Sequence, residues 1–297
     1  AVLPGGVLKE VPKKEFVYNW TKRARRDEKI FADKTMDSIK AIWPFSQSAD
    51  KIVISREGTA WYLLAEVSAE EFLQADEWEE CRGTLAAGGL MIPCEKDADS
   101  LICGAQNGDL VRLPAEKLCA WQGRQQIVRI GEAPLAAACF CMATDDILLI
   151  SEKGQALRTH VSDLYKRVDI GGGLTKGMRM KTGTDDRLRC CLVYQPKRSL
   201  TAISQQRKLL VLRVDGEEKA QLRAQGHVGE GVCLVHVEGS DGVADVLYAD
   251  QAVLLLSDSG YAQCRDISVL REKGRRAKGI EGMKRGQIIR AVCAKVK

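Results

Sequence analysis

The chain has no long hydrophobic run, few aromatic residues (5%) and three histidines among its 297 residues. No stretch approaches the roughly 18 uninterrupted apolar residues of a membrane span, so no membrane partner is expected. The first residues carry neither an initiator Met nor the basic and apolar regions of a secretory signal. We therefore expect a fragment of a longer protein that is not secreted.

The cysteines do not follow the pattern of a disulfide framework. Their number, eleven, is odd, and most lie inside apolar runs, such as Cys103, Cys190–Cys191 and Cys233. A free Cys behaves as a small buried hydrophobe, and disulfides persist mainly in oxidising compartments. The pattern favours free thiols in a reducing cytoplasm.

The signatures of catalytic and metal centres are also missing from the sequence. His160, His227 and His236 have no partner at metal-ligand spacing, and Cys139-Phe-Cys141 lacks the two-residue gap of zinc sites. There is no Gly-x-Ser-x-Gly elbow and no phosphate-binding loop between a strand and a helix. We expect no catalytic residue, no metal and no cofactor.

What the sequence does have is an internal repeat. An apolar run, a small residue, two polar residues, a Gly and an alternating run recur at spacings of 50, 46, 53 and 53 residues. Each copy predicts a β-hairpin with a positive φ at the Gly position. The fourth copy carries Arg there, so its turn is predicted to differ. The five turn positions are Gly58, Gly108, Gly154, Arg207 and Gly260.

A second element follows the hairpins by about two dozen residues. It is a Gly, usually after a polar or basic residue, then spaced apolar residues, as in Arg82-Gly83, Lys176-Gly177, Gly229–Gly231 and Lys278-Gly279. Five units that each make roughly four strands bury their apolar faces when they are arranged radially. Residues 38–297 are therefore predicted to be an all-β, propeller-like domain of five or six four-stranded blades.

The two ends of the chain depart from the repeat. Residues 1–37 are predicted to be a linker or N-terminal extension, with one candidate strand at 16–18 and a basic, exposed connector at 21–29. The strand at 288–293 has no hairpin after it and is predicted to complete the first unit, beside the segment before Lys51. The best helix candidate is short, at 68–72, where Ser68 would cap the first turn.

Charge is distributed unevenly along the chain, whose net charge is +5. Residues 41–100 carry 4 basic and 12 acidic side chains, a net of −8, whereas residues 243–297 carry 11 and 6, a net of +5. A polyanion would therefore meet opposite fields on different parts of the surface.

The hairpin repeat, followed by a basic-Gly-apolar-x-x-Met element, resembles the blades of the β-pinwheel, the C-terminal domain of the A subunit of bacterial type IIA topoisomerases. The similarity covers residues 38–297 and is most specific at 147–164 with 176–180 and at 254–270 with 274–283. It implies a non-catalytic domain that binds and bends duplex DNA in the bacterial cytoplasm. The partners that it further implies are the remainder of the A subunit, which would hold the strand-cleaving Tyr, together with the B subunit of an ATP-hydrolysing enzyme.

In that family, gyrase-type wrapping depends on a Gln-basic-basic-Gly-Gly-basic-Gly motif in the first blade. The nearest match in this sequence is Lys273-Gly-Arg-Arg-Ala-Lys-Gly279, in the last repeat. The corresponding place in the first repeat, 79–84, begins with Glu79-Glu80. The resemblance therefore favours a domain closer to topoisomerase IV than to gyrase, or an otherwise divergent subunit.

Clusters of cations between glycines are the candidate DNA contacts. Glycines let the backbone approach a phosphate, and such contacts hold a duplex without reading its bases. The alternative is a propeller-like protein-interaction module that does not bind DNA, which the acidic first repeat and the low net charge favour. The predicted DNA-binding residues are Lys273, Arg275, Arg276, Lys278, Lys284, Arg285, Lys176, Arg179 and Lys181.

Overall fold

The computed structural model describes residues 28–29, 45, 49–119, 123–164, 167–181, 183–214, 222–226 and 228–294. The candidate strand at 16–18 lies outside these residues. In chain order, the strands are β1 (Glu28–Lys29), β2 (Lys51–Ile54), β3 (Thr59–Leu63), β4 (Leu90–Pro93), β5 (Ser100–Ala105), β6 (Leu110–Pro114), β7 (Arg124–Gln126), β8 (Val128–Arg129), β9 (Leu135–Cys141), β10 (Asp146–Ser151), β11 (Gln155–His160), β12 (Gly172–Gly173), β13 (Leu188–Val193), β14 (Leu200–Ser204), β15 (Lys208–Leu212), β16 (Val232–Cys233), β17 (Val243–Tyr248), β18 (Ala252–Ser257), β19 (Tyr261–Asp266), β20 (Ile280–Glu281) and β21 (Ile288–Ala294).

Helices are few and short in the described part of the chain. The longest has 8 residues, and no described helix is long and apolar enough to cross a membrane. A 3-10 turn lies at Asp76–Trp78. The helices are α1 (Ala69–Gln74), α2 (Glu79–Ala86), α3 (Ala115–Cys119) and α4 (Val161–Leu164).

The chain divides into two compact units, which we call the middle unit and the terminal unit. The middle unit comprises Phe45–Gln195 and Leu222–Val232, and the terminal unit comprises Ala1–Pro44, Pro196–Gln221 and Cys233–Lys297. Three of the five main sheets are built on middle-unit hairpins: sheet I (β4-β2-β3-β7), sheet II (β6-β5-β9) and sheet III (β13-β10-β11-β16). The terminal unit holds sheet IV (β17-β14-β15-β20) and sheet V (β1-β19-β18-β21).

The five predicted hairpins are all present, one in the centre of each sheet. They are β2–β3, β5–β6, β10–β11, β14–β15 and β18–β19, each antiparallel. The next long strand along the chain pairs with the first strand of its own hairpin, as β9 does with β5 and β21 with β18. Sheet II has three named strands, and an isolated bridge between Leu110 and Thr175 occupies its fourth position. The prediction of an all-β fold with repeated, essentially four-stranded sheets is confirmed.

In sheets I to IV the outer position is filled from the following repeat. β7 follows the second hairpin but pairs with β3 of the first, and β20 follows the fifth hairpin but pairs with β15 of the fourth. The Gly elements at 177, 229–231 and 279 each follow one hairpin along the chain. Each completes the sheet of the hairpin one repeat earlier. Sheets I to IV thus each depend on two successive repeats.

The first and the last described strands, β1 and β21, lie at opposite edges of sheet V, and the prediction for 288–293 was wrong. β21 stays in its own repeat and pairs along β18 from Ile288↔Ser257 to Ala294↔Ala252. In the described chain, no further hairpin follows the fifth to bring an outer strand to sheet V. β1 takes that place, with Glu28 opposite Ala262, so the end of the predicted exposed connector is a strand.

The fourth turn was predicted to differ because it carries Arg207, and this was also wrong. Arg207 has φ 73°, close to the 77° of Gly260 and the 81° of Gly154. Its amide donates to the Ser204 carbonyl at 3.1 Å, as the Gly154 amide does to Ser151 at 3.0 Å. A side chain in this left-handed region costs about 1–2 kcal/mol, so the surrounding sheet holds the turn against local preference.

The Ser that precedes four of the five turns has a structural reason. The Ser204 hydroxyl oxygen accepts a hydrogen bond from the amide of Lys208 at 3.1 Å, and Ser257 accepts one from Tyr261 at the same distance. The second hairpin has Ala105 instead, and there the Asn107 side-chain oxygen accepts from the Asp109 amide at 3.1 Å. The small polar residue of the repeat therefore satisfies a turn amide that the ladder leaves unpaired.

Helical structure replaces the Gly element in the first repeat. Ser68 caps α1 as predicted, since its hydroxyl accepts from the Glu71 amide at 3.0 Å and the Glu71 carboxylate accepts from the Ser68 amide. Arg82-Gly83 was predicted to be a copy of the Gly element, but it lies inside α2. The Arg82 guanidinium donates to the carbonyls of Phe72 and Ala75 and so closes the end of α1.

Candidate nucleic-acid interface

The predicted cations at 273–278 lie in the turn that leads into β20. Lys273 forms a parallel bridge with Leu212, and its amide donates to the Val211 carbonyl at 2.9 Å. The Lys273 ammonium donates to the carbonyl of Lys278 at 3.0 Å, so it stabilises the loop from within. Arg276, at φ 65°, and Lys278 are exposed. These two cations are the ones that the loop presents to solvent most fully.

Lys284 and Arg285 lie on the other side of β20, between two hairpin turns. The Lys284 carbonyl accepts a hydrogen bond from Nη1 of Arg207 at 2.8 Å. The Arg285 guanidinium lies 5.1 Å from the centre of the Tyr261 ring and donates to the Tyr261 hydroxyl at 2.9 Å. Stacking on an aromatic ring restricts the Arg side chain while leaving it exposed. The Arg285 side chain is therefore already restricted, so it would lose little conformational entropy on binding an anion.

The fourth hairpin connects these two groups through residues that the sequence prediction missed. Arg207 occupies its turn and Lys208 begins β15, opposite Glu281 of β20. An added Cβ at Gly279 would lie 3.1 Å from the Cβ of Lys208, so the loop carrying Lys278 rests on this hairpin. The sequence did contain a signal for this hairpin, because Arg207 occupies a turn position at which the other four repeats have Gly.

A groove opens beside these cations. Its volume is about 750 Å³, and it lies between the turns of the fourth and fifth hairpins and the segment before β21. Cations on its wall come from Arg207 and Lys208, and Asp258 contributes the opposing charge. Its lining residues are Gln206, Arg207, Lys208, Asp258, Ser259, Gly286 and Gln287.

The second predicted cluster, 176–181, lies in the middle unit, where Thr175 bridges to sheet II. The Lys176 ammonium is 3.0 Å from a carboxylate oxygen of Asp109, although 74% of its side chain remains exposed. Arg179 and Lys181 are exposed, and the Arg179 amide donates to the Gly229 carbonyl at 2.9 Å. Lys176 is thus partly compensated, whereas Arg179 and Lys181 offer their charge to solvent.

Arg187, which follows this cluster, is bound to an acid. Its guanidinium donates to the carboxylate of Glu152, which is 8% exposed. This hydrogen bond raises the pKa of Arg187 above its ordinary value. The charge of Arg187 is therefore compensated within the fold.

The first repeat presents acidic side chains where the resemblance would place cations. Glu79 and Glu80 begin α2 and are exposed, as are Asp76 and Glu77 in the preceding turn. Glu80 has one cation close by, with its carboxylate 3.6 Å from Nε of Arg124. The middle unit therefore carries an acidic helical surface in addition to its exposed cations.

No group of three or more His, Cys, Asp or Glu side chains within the described ranges is arranged to hold a metal ion. The candidate interface presents cations, amides and hydroxyls together with the Asp258 carboxylate. Its cations, amides and hydroxyls can bind anions by charge and hydrogen bonding.

Solved structures identify the arrangement of sheets. A C-terminal domain of DNA gyrase A matches 90% of this chain and 89% of that domain, with a TM-score of 0.70 at 15% identity. The fold is that of the topoisomerase A-subunit β-pinwheel. A C-terminal domain of DNA topoisomerase IV matches 84% of the chain with a TM-score of 0.65 at 11% identity. The E. coli ParC C-terminal domain matches 82% of it with a TM-score of 0.53 at 16% identity.

Curated sequences agree with the structural match. The pinwheel is 30% identical over 161 residues to the DNA gyrase A subunits of Mycobacterium bovis (strain BCG) and Mycobacterium tuberculosis. The aligned part covers 52% of this chain and 18% of the gyrase polypeptide. No model of a protein family matches the chain. The predicted resemblance to the C-terminal domain of type IIA topoisomerase A subunits is confirmed.

Proposed function

We propose that this pinwheel binds and bends duplex DNA through the phosphate backbone, as a non-catalytic part of a type IIA topoisomerase A subunit in the bacterial cytoplasm. Its partners would be duplex DNA, the remainder of the A subunit, and the B subunit. Residues 38–297 would form the DNA-binding domain. Residues 1–37 would be a linker that also lends Glu28–Lys29 to sheet V.

One observation carries the proposal. Two exposed cations, Lys278 before β20 and Arg285 after it, lie on segments that contact the fourth hairpin, which carries Arg207 and Lys208. Cations grouped on neighbouring segments suit the phosphates of a duplex. The exposed pair Arg179 and Lys181 would add phosphate contacts from the middle unit.

Fluorescence anisotropy of a labelled duplex, measured at several salt concentrations, tests the proposal. We expect salt-sensitive, sequence-tolerant binding, in which each neutralised phosphate contributes about −0.9 to the slope of log K against log salt concentration. Replacing Arg276, Lys278 and Arg285 by Ala should weaken binding and flatten the slope by about 0.9 for each phosphate that is no longer neutralised.

A matched variant controls for net charge. Replacing Lys96, Lys117 and Arg198 by Ala removes three positive charges elsewhere, and two of these residues already pair with acids, Asp169 and Asp250, at 2.7 Å. This variant should bind nearly as well as the unaltered chain. Equal losses in both variants would assign binding to net charge alone, and absence of binding would refute the proposal.

We further propose that the wrap is closer to that of topoisomerase IV than to that of gyrase. Support comes from the first repeat, where α2 carries Glu79 and Glu80 in its first turn instead of a basic glycine-rich loop. Ligation of nicked plasmid in the presence of the domain measures the number and hand of wrapped turns. Strong positive wrapping of the gyrase type would contradict this part of the proposal.

The second candidate is a protein-interaction module without DNA binding, which the acidic surface of α1, α2 and the turn between them favours. Acidic groups repel a duplex and attract basic protein segments. Anisotropy separates the two candidates, because an interaction module would leave a duplex unbound at low salt. It would bind a basic peptide instead.

A further inference from the structure

Two cysteine sulfurs meet between neighbouring sheets of the middle unit. The Sγ atoms of Cys139 in β9 and Cys191 in β13 lie 3.0 Å apart, and both residues are half-buried. β9 belongs to sheet II and β13 to sheet III. The two side chains pack against one apolar cluster that these sheets share. The fold therefore holds two free thiols in direct contact.

We propose that Cys139 and Cys191 form a redox modification site, at which a peroxide converts the two thiols into one disulfide that joins sheet II to sheet III. An S–S bond is about 2.0 Å long, so the sulfurs must approach by roughly 1 Å. Rotation of the two side chains about their Cα–Cβ bonds can supply such a movement. The proposal is independent of DNA binding.

Peroxide is the only oxidant that the reaction requires. The thiolate of one of the two cysteines attacks a peroxide oxygen, the O–O bond breaks, and a sulfenic acid forms as hydroxide leaves. The thiolate of the other cysteine then attacks the sulfenic sulfur, hydroxide leaves as the S–S bond forms, and this hydroxide takes up the proton that the second thiol released. The two sulfurs together lose two electrons, which the peroxide accepts.

The neighbouring residue provides a matched control. Cys190 is also half-buried and precedes Cys191 in β13, so its side chain points to the opposite face of the strand. It pairs with Ile150 of β10, whereas Cys191 pairs with Leu149. Replacement of Cys190 by Ala removes a thiol of similar exposure without touching the proposed pair.

The test treats the whole chain with hydrogen peroxide at about pH 8, close to the ordinary thiol pKa. We expect two fewer free thiols than the eleven of the sequence, and a reducible link between the peptides that contain Cys139 and Cys191. Cys190→Ala should keep the link, and Cys139→Ala and Cys191→Ala should lack it. The link closes a loop of 52 residues, so the Tm should rise by on the order of 5 °C and return on reduction.

Three results would overturn the proposal. They are a link made through Cys190, loss of two thiols in Cys139→Ala as in the unaltered chain, and conversion of Cys139 or Cys191 to sulfinic acid without a link. Comparing the Tm of the reduced Ala variants with that of the reduced unaltered chain shows whether each variant is folded before oxidation.

Discussion

Nη1 of Arg207 lies 2.8 Å from the carbonyl oxygen of Lys284 and donates a hydrogen bond to it. The bond ties the turn of the fourth hairpin to the loop that carries Arg285. Arg207 makes it from a backbone with φ 73°, which a non-Gly residue adopts at a cost of about 1–2 kcal/mol. The other four turns have Gly at this position and avoid the strain. The strained backbone at Arg207 therefore points to a role for the Arg207 side chain.

The first prediction separates the backbone role of Arg207 from its charge. Arg207→Gly removes the strain but also the hydrogen bond, which contributes about 1 kcal/mol, so stability should change by less than about 1 kcal/mol. Duplex affinity should fall, and the salt slope should flatten by about 0.9. Arg207→Ala keeps the strain and loses the bond, so it should be the less stable variant in thermal unfolding. Unchanged DNA binding in both variants would exclude Arg207 from the interface.

The second prediction concerns the close packing of the second turn against the outer element of its sheet. Gly108 has φ 85°, and an added Cβ would lie 2.0 Å from the Met178 carbonyl oxygen. Gly108→Ala should therefore combine backbone strain with a clash and destabilise the middle unit by about 2–4 kcal/mol in denaturant titration.

Gly183 supplies the control for that substitution. Its φ is 76°, and an added Cβ would have nothing within 4 Å. Gly183→Ala should cost only the backbone strain of about 1–2 kcal/mol. Equal destabilisation by the two substitutions would mean that the outer element does not pack on the turn as described.

The third prediction is a pH dependence that arises at Asp50. The Tyr62 hydroxyl donates to its carboxylate at 2.6 Å, and this hydrogen bond, opposed by burial and aided by the Ala65 amide, lowers the pKa of Asp50. A depressed carboxyl pKa contributes stability above the unfolded value of about 3.9 and loses it as pH falls through the folded pKa. Tyr62→Phe should therefore lower the Tm at pH 7, and the difference should shrink below about pH 4.

Circular dichroism melts across this pH range provide the measurement. Asp50→Asn should show the same loss of acid dependence, because it removes the titrating group. A Tm difference between Tyr62→Phe and the unaltered chain that is as large at pH 3 as at pH 7 would contradict the assignment.

The fourth prediction tests the acidic surface of the first repeat. Replacing the exposed Glu77, Glu79 and Glu80 by Gln removes like-charge repulsion toward a duplex. We expect duplex affinity to rise a few-fold at low salt and the gain to vanish when the Debye length shrinks to about 3 Å near 1 M. Neutralising the exposed acids Glu132, Asp185 and Glu238 controls for net charge. An equal gain in the control would show that these three residues have no special position.

The hairpins could be predicted from the sequence because their determinants are local. An apolar strand, a Ser that accepts a turn amide and a Gly with positive φ lie within about ten residues, so the pattern is visible in one copy and repeated in the next. The short helix capped by Ser68 was predictable for the same reason. The regular spacing of the turns then indicated repeated sheets and, through the family resemblance, the β-pinwheel.

The partners of the outer strands could not be predicted in this way. Two-residue strands such as β16 and β20 carry too little pattern to specify which hairpin they pair with, and their pairing is decided by which edge is free when the repeats pack. The prediction for 288–293 failed because an apolar strand can pair with more than one hairpin, and the sequence alone does not specify which. In the first repeat, Arg82-Gly83 has the residue types of the Gly element. These residues follow the capped helix α1, however, and lie in a second helix, α2.

For the candidate site, the sequence indicated most of the cations but not their surroundings. It identified Lys278 and Arg285 as exposed cations near glycines, because charge and glycine content are properties of a short segment. It missed Arg207 and Lys208, which come from a hairpin some 70 residues earlier in the chain, and it did not separate Lys273, whose ammonium binds within its own loop.

The sequence alone determined the hairpins, the repeat and the β fold class, because hydrogen bonding and hydrophobic alternation within a short segment specify each of them. Tertiary structure decided which repeat closes which sheet, how β1 completes the last sheet, and which cation-bearing segments contact each other. Those outcomes depend on interactions between segments far apart in the chain, whose energies exist only once the sheets have packed together.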